Sequence, residues 1–343
     1  MLNVLRASLI ELPAWMLVAL GFYFAFRVLK FPDLTVDASF VTGTVATAMA
    51  ATNFSSSALG LVLAILFGCL AGTATWLVYL TNPRPAYKLL AGVLVMFASY
   101  SVNYRLLNHA VESCFTMQRT EMNRLAEFEA STYASGFKPL SLSIGLALVL
   151  VLILCLRALM ATHFGLVLRS VGSRPSLVMS NGPRYAGNWR RSGLSRFNRV
   201  NMSLWFGLAL SNAIVGTGGW FYASTNATCS INIFGTVIHA LAAIIIGETI
   251  CGVVPGVRDR RTSIWVLVIT PLGGAIVYQI VKAFVAWVMV DLSVGIDGSN
   301  VSYNSQDQNF LFVILLLVLI LLSKAISQWA HATDYQETDE ELV

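Results

Sequence analysis

The sequence predicts an all-α fold, a polytopic transmembrane helical bundle, and three observations predict it. Hydrophobic residues make up 57% of the 343 residues and charged residues only 11%. The mean hydropathy is +0.72, so polar groups are too few to clothe a water-facing globule. Apolar runs of roughly 20 residues, enough for a helix to cross ~30 Å of hydrocarbon, recur from end to end with no soluble domain between them. One transmembrane domain over 1–343, with nine membrane segments, is therefore expected.

The first segment spans Pro13–Leu29. MLNVLRASLIELP lacks a basic leader region and no small-residue cleavage site follows Trp15–Val28, so this segment is expected to be retained. The second, Ser39–Ala51, is too short to cross regularly and is expected to be a short or broken helix shielded by its neighbours. Further segments are expected at Ala58–Leu80, Leu89–Leu107, Leu140–Ala161, Asn201–Tyr222, Phe234–Cys251, Ile264–Val290 and Phe310–Gln328. Gly68 and Gly72 form a small-xxx-small pair, and Gly273 with Gly274 follows Pro271; both patterns suit close helix packing.

Lys and Arg orient the set, because basic loops stay in the cytoplasm. An outside N-terminus and a cytoplasmic C-terminus put Arg27, Lys30, Arg84, Lys88, the run from Arg169 to Arg199, and Arg258, Arg260 and Arg261 inside. The net charge of +5 is thus a topology signal. No basic, aromatic-studded soluble module suggests nucleic-acid binding. Among the five cysteines, Cys114 and Cys229 fall in outer loops, where a disulfide between them is one expectation. No CxxC pair or His/Cys cluster suggests a metal site, and no cofactor is expected. Nor is there a phosphate loop, a GxSxG elbow or an HExxH pair, so an enzyme acting alone is not expected.

FPDLTVDASF, from Phe31 to Phe40, places two carboxylates four apart at the start of the second segment. Pro32 suits a first helical turn and Asp33 suits a cap on free amides. Asp37 lies one turn further on the same face, where like charges repel. It is expected to meet a cation such as Arg27 or Lys30, or water in a central pathway, and to be the more sensitive of the two to loss of charge. Glu248 and Lys282 lie in apolar segments and are read either as snorkelling or paired charges or as a polar lining.

Between the fifth and sixth segments runs a long basic stretch, 163–200. On charge alone it is a topogenic loop. Its first half adds a pattern: a helix over Gly165–Arg169, a break at Gly172–Pro175, a short helical turn over Ser176–Ser180, and a stop at Asn181 and Gly182.

The succession FRVLKFPDLTVDASF, LLAGVLVMFASYSVNYRL, GLVLRSVGSRPSLVMSNG, LALSNAIVGTGGWFYA and IHALAAIIIGE resembles that of bacterial ABC-transporter permeases. It is similar to the branched-chain amino acid and simple-sugar permeases, nearest to those associated with tryptophan/tyrosine-type solute-binding proteins. The resemblance implies a bacterial inner-membrane transport subunit that works as a homodimer or heterodimer within membrane lipid. Its implied partners are an extracytoplasmic solute-binding protein and a cytoplasmic ATP-binding subunit that hydrolyses the ATP. It implies a coupling helix over Gly172–Gly182, with Gly172, Arg174, Pro175, Ser176, Met179 and Gly182 as contacts. Gly-Ser-Arg-Pro stands where the family has a GDNP-like turn, and Asp37 stands where the family's DLSVGS-like element has Gly, so the resemblance assigns Asp37 no role. His239 replaces a small residue. The candidate pathway residues are Asp33, Asp37, Asn103, Asn212, His239 and Glu248. An ion-coupled secondary transporter, with Asp33, Asp37, Glu248 and Lys282 as relay, is the alternative, and a membrane scaffold the third reading.

Overall fold

The computed structural model describes residues 2–107, 112–114, 139–173, 199–226, 228–230, 235–253 and 264–295. The expected ninth segment, Phe310–Gln328, lies outside the described residues. Helix α1 (Leu2–Tyr23) runs into a π-turn (Phe24–Val28), followed by α2 (Thr35–Phe54), α3 (Ser57–Thr81), α4 (Pro85–Leu106), α5 (Pro139–Ala161) and α6 (His163–Ser173). Then come α7 (Arg199–Asn226), α8 (Thr236–Val253) and α9 (Ile264–Gly295). Two three-residue strands, β1 (Glu112–Cys114) and β2 (Thr228–Ser230), pair antiparallel. Among the described residues, six helical stretches are long and apolar enough to cross a membrane, and Thr236–Cys251 is a shorter apolar helix. The chain is a multi-pass membrane protein.

Helix α2 corrects an expectation. It is not short or broken but a regular α-helix of 20 residues, about 30 Å long at 1.5 Å per residue. Its hydroxyls explain why a Thr-rich stretch stays helical at membrane depth. Thr42 donates to the Ala38 carbonyl at 2.7 Å, Thr44 to Val41 at 2.7 Å, Thr47 to Gly43 at 2.8 Å and Thr52 to Ala48 at 2.9 Å. These four hydroxyls are each satisfied within their own helix, so none of them demands water. The irregular backbone sits just ahead of α2, in the π-turn and at Lys30, which adopts φ 51. Lys88 steadies that turn by donating to the Lys30 carbonyl at 3.2 Å while its ammonium lies 5.7 Å from the Phe31 ring centroid.

The described residues fall into two compact units, Pro13–Ala240 and Met1–Leu12 with Leu241–Val343. In the first, α2, α3 and α7 pack against one another, with α4 beside α2 and α3. Backbone contact makes this trio possible. A methyl group on Gly43 would strike the Gly216 carbonyl, and one on Gly68 or Gly72 would strike the carbonyls of Asn212 or Leu208. The close packing expected of Gly68 and Gly72 is therefore against α7. Small apolar residues and aromatic rings fill the rest, with Ala14, Ala46, Ala64, Trp220 and Phe221 in one cluster. Val41, Val45, Ala48, Ala223 and Cys229 form another.

The strand register sets Ser113 opposite Cys229 and Cys114 opposite Thr228. The expected Cys114–Cys229 bridge is not formed. Cys229 is a buried free thiol 3.3 Å from the Thr44 hydroxyl, in a cluster otherwise made of small apolar side chains.

In the second unit Ala242, Ile246 and Tyr278 form a small core. Gln279 donates to the Ser8 carbonyl at 3.0 Å, and Lys282 lies 3.8 Å from the Glu11 carboxylate. Lys282 thus follows the structural-pair reading. Gly274 abuts the Ala243 carbonyl, whereas Gly273 has nothing within 4 Å, so close packing explains only one of that pair.

Candidate functional site: a buried polar stripe on α2

In α2, residues 35, 39 and 42 share one face because the helix repeats every 3.6 residues. All three are polar and buried. Just before the helix, Asp33 is fully buried as well. Its Oδ1 accepts from the Thr35 amide at 2.9 Å, closing the free N-terminal end of α2. Its Oδ2 accepts from Asn212 Nδ2 on α7 at 2.7 Å. Asn212 also donates to its own Leu208 carbonyl at 2.9 Å and accepts from the Ser39 hydroxyl at 2.6 Å. Thr35 shares a 2.6 Å hydroxyl contact with Thr75 of α3. Three helices thus meet through hydrogen bonds along one line.

The stripe continues to α4. Asn103, 1% exposed, donates its Nδ2 to the Thr42 hydroxyl at 3.1 Å. From residue 33 to residue 42 the line covers about 14 Å at helical rise. Hydrogen-bonding groups spaced along a buried face, with Gly and Ala as their neighbours, provide polar stations inside an apolar bundle. Among the described residues no ion pair reaches Asp33; its two oxygens are instead each held by a neutral N–H donor, one from the first turn of α2 and one from α7.

Asp37 does not meet the cation expected of it. It is half-buried, and its Oδ1 accepts from the Val237 amide at 2.8 Å and from the Thr236 hydroxyl. A carboxylate in the first turn of one helix therefore caps the start of another, α8. Its described partners are this helix end, not Arg27 or Lys30. Gly235 precedes that end at φ +92, a conformation side chains rarely adopt.

His239 sits one turn into α8, with Nδ1 2.7 Å from the Gly235 carbonyl and its ring stacked on Trp15 at a centroid distance of 4.6 Å. Trp15 in turn stacks on Phe40 at 5.6 Å. The histidine is thus held in an aromatic column against α1 and α2. Glu248 lies half-buried on α8 in the second unit.

Of the coupling residues, only Gly172 is among the described residues; Arg174, Pro175, Ser176, Met179 and Gly182 lie outside them. Helix α6 runs to Ser173, so Gly172 and Ser173 are helical, while the rest of the break expected at Gly172–Pro175 lies outside the described residues. A methyl group on Gly172 would strike the Val28 carbonyl at the end of the π-turn, so glycine lets α6 press directly on backbone there. Sequence reading singled out neither Ser39, Thr42 nor Thr75. Their signal was the i, i+4, i+7 spacing of hydroxyls at 35, 39 and 42, which hydropathy averages away.

Comparison with known proteins is consistent with these landmarks. A family model described as "Branched-chain amino acid transport system / permease component" matches residues 4–187. A "Tyrosine transport system permease protein" of Clostridioides difficile (strain R20291) is 26% identical over 249 residues, covering 72% of this chain and 74% of that protein. An uncharacterized protein of Rickettsia prowazekii (strain Madrid E) is 28% identical over 262 residues, covering 73% and 77%. No solved structure matches significantly. With more than half its length matched by the family model, and a multi-helix bundle organised around a buried polar helix, the chain belongs to the branched-chain amino acid transport system permease family, whose members are membrane transport subunits.

Proposed function

We propose that the chain is the permease subunit of a bacterial ABC importer for an amino acid, with an aromatic amino acid such as tyrosine as the first candidate. The observation that carries this reading is the hydrogen-bonded stripe on α2, which puts polar groups at the centre of a bundle whose exterior is apolar. The name of the Clostridioides difficile relative supports the substrate class. Solute is delivered by an extracytoplasmic binding protein, two permease copies flank the passage, and a cytoplasmic ATP-binding subunit drives it. The 163–200 segment makes the ATPase contact through Gly172, Arg174, Pro175, Ser176, Met179 and Gly182. The amphipathic helix α6 leading into this segment, and its seat on the Val28 carbonyl, favour a mechanical link there. The basic loops favour an outside N-terminus and a cytoplasmic C-terminus in the inner membrane.

An ion-coupled carrier is the weaker reading, because Asp33 and Asp37 are both engaged at helix ends. The test is reconstitution of the permease with its ATPase and binding protein in proteoliposomes. Tyrosine uptake that requires ATP and the binding protein is expected. Uptake driven by an ion gradient without the ATPase would overturn the reading. Poor labelling of a single cysteine at position 187 by an impermeant reagent in intact cells is expected from the topology, and ready labelling would reverse it.

A further inference from the structure

Asn103 ends the α2 stripe differently from the other polar residues on it. Both Asp33 oxygens, the Asn212 carbonyl oxygen and the Ser39 hydroxyl are matched to partners. Asn103 Oδ1 is buried and has no hydrogen-bond partner among the described residues. The orientation of this amide follows from chemistry. Thr42 has committed its only hydroxyl proton to the Ala38 carbonyl at 2.7 Å, so toward Asn103 it can only accept. Asn103 must turn its NH2 group to Thr42, which leaves the carbonyl oxygen as an open acceptor.

A buried acceptor with no donor disfavours the folded state. Leucine in its place would fill similar space without that penalty. An acceptor held in position by a second polar residue, at the end of a polar line through a transport bundle, suits a donor that arrives during transport. The amino-acid reading supplies one. The family description and the tyrosine-permease relative name amino acids with unlike side chains, and the donor common to all of them is the α-ammonium group.

We propose that Asn103 Oδ1, held by Thr42, is a docking point for the α-ammonium group of the amino acid as it moves along α2. The proposal rests on the importer reading above and adds the residue that recognises the shared end of the solute. A charge-assisted hydrogen bond at this point favours entry of amino acids while leaving side-chain selection to other surfaces.

The test uses the complete transporter in proteoliposomes with radiolabelled L-tyrosine, comparing the wild type with Asn103→Leu and Asn103→Asp, alongside thermal unfolding of each permease in detergent. Asn103→Leu is expected to lower uptake at sub-saturating solute about tenfold while its unfolding temperature stays equal to or above the wild type. Asn103→Asp keeps an acceptor and adds a charge that attracts ammonium; with no NH2 group at position 103, the Thr42 hydroxyl can turn its proton from the Ala38 carbonyl to the carboxylate, so this variant should retain at least half of the uptake. Uptake by Asn103→Leu within twofold of wild type would overturn the proposal. So would lost uptake accompanied by a lowered unfolding temperature, because that marks a packing role. Loss in Asn103→Asp as deep as in the leucine variant would overturn the ammonium assignment. A wild-type complex that carries no amino acid would remove the importer reading and the proposal with it, whereas an active wild type with an insensitive variant removes the docking point alone.

Discussion

Helix α5 leaves Leu146, Leu150, Val151 and Leu154 between 40% and 56% exposed, whereas α2, built from Thr, Ala, Gly and Ser with a few larger residues, has fourteen of its twenty residues buried. In a water-soluble protein the assignment would be reversed. Lipid chains solvate leucine as well as another helix does, so apolar area gives a helix no reason to move inward. Backbone approach and hydrogen bonds do give one. Gly43 meets the Gly216 carbonyl, and Ser39 and Asp33 meet Asn212. A helix far less apolar than α5 becomes well buried because it offers close backbone packing and hydrogen-bonding partners.

Substitutions can break or sharpen this comparison. The largest effect is expected at Gly43→Leu, where a side chain must push α7 away. It should cost about 3 kcal/mol and sharply reduce the folded fraction recovered in detergent, and wild-type recovery would mean that the α2–α7 contact is looser than it looks. Asp33→Ala comes next, because it leaves the Thr35 amide and Asn212 Nδ2 without their acceptor. It should cost about 2 to 3 kcal/mol in a denaturant titration of the solubilised protein. Asp37→Ala, removing a cap from a half-buried helix end, should cost about 1 kcal/mol, and Asp37→Asn only a few tenths. At equal membrane abundance, Asp33→Asn should therefore impair uptake more than Asp37→Asn, the reverse of the order expected from their sequence depth. Smallest of all, Leu150→Ala on the open face of α5 should change stability by less than about 0.5 kcal/mol. A larger loss there would show that α5 is covered by protein and not by lipid.

Hydropathy made the most continuously apolar helices legible, since α3, α4, α5 and α9 lie close to where long apolar runs place them. It failed on α2, whose threonines depress any average while satisfying themselves on their own carbonyls. The carboxylates were visible but their partners were not. Asp33 meets Asn212, 179 positions away, and Asp37 meets Val237, 200 positions away. No local pattern encodes which distant helix end a carboxylate will close. The cysteine expectation failed for a related reason. Shared location in outer loops does not set register, and a one-residue offset in the ribbon places Ser113 opposite Cys229.

The π-turn at Phe24–Val28 holds one residue more than an α-helical turn would. Each residue of an α-helix advances the side-chain direction by about 100°. Upstream of the turn, Trp15 must face Phe40; at its end, the Val28 carbonyl must face Gly172. The extra residue acts as a phase adjuster between those two orientations. This stretch should therefore tolerate exchanges of one apolar side chain for another better than a change in length. Deleting a single residue between Phe24 and Val28 would let the helix close regularly while turning the aromatic column and the α6 seat out of step by more than a quarter of a revolution.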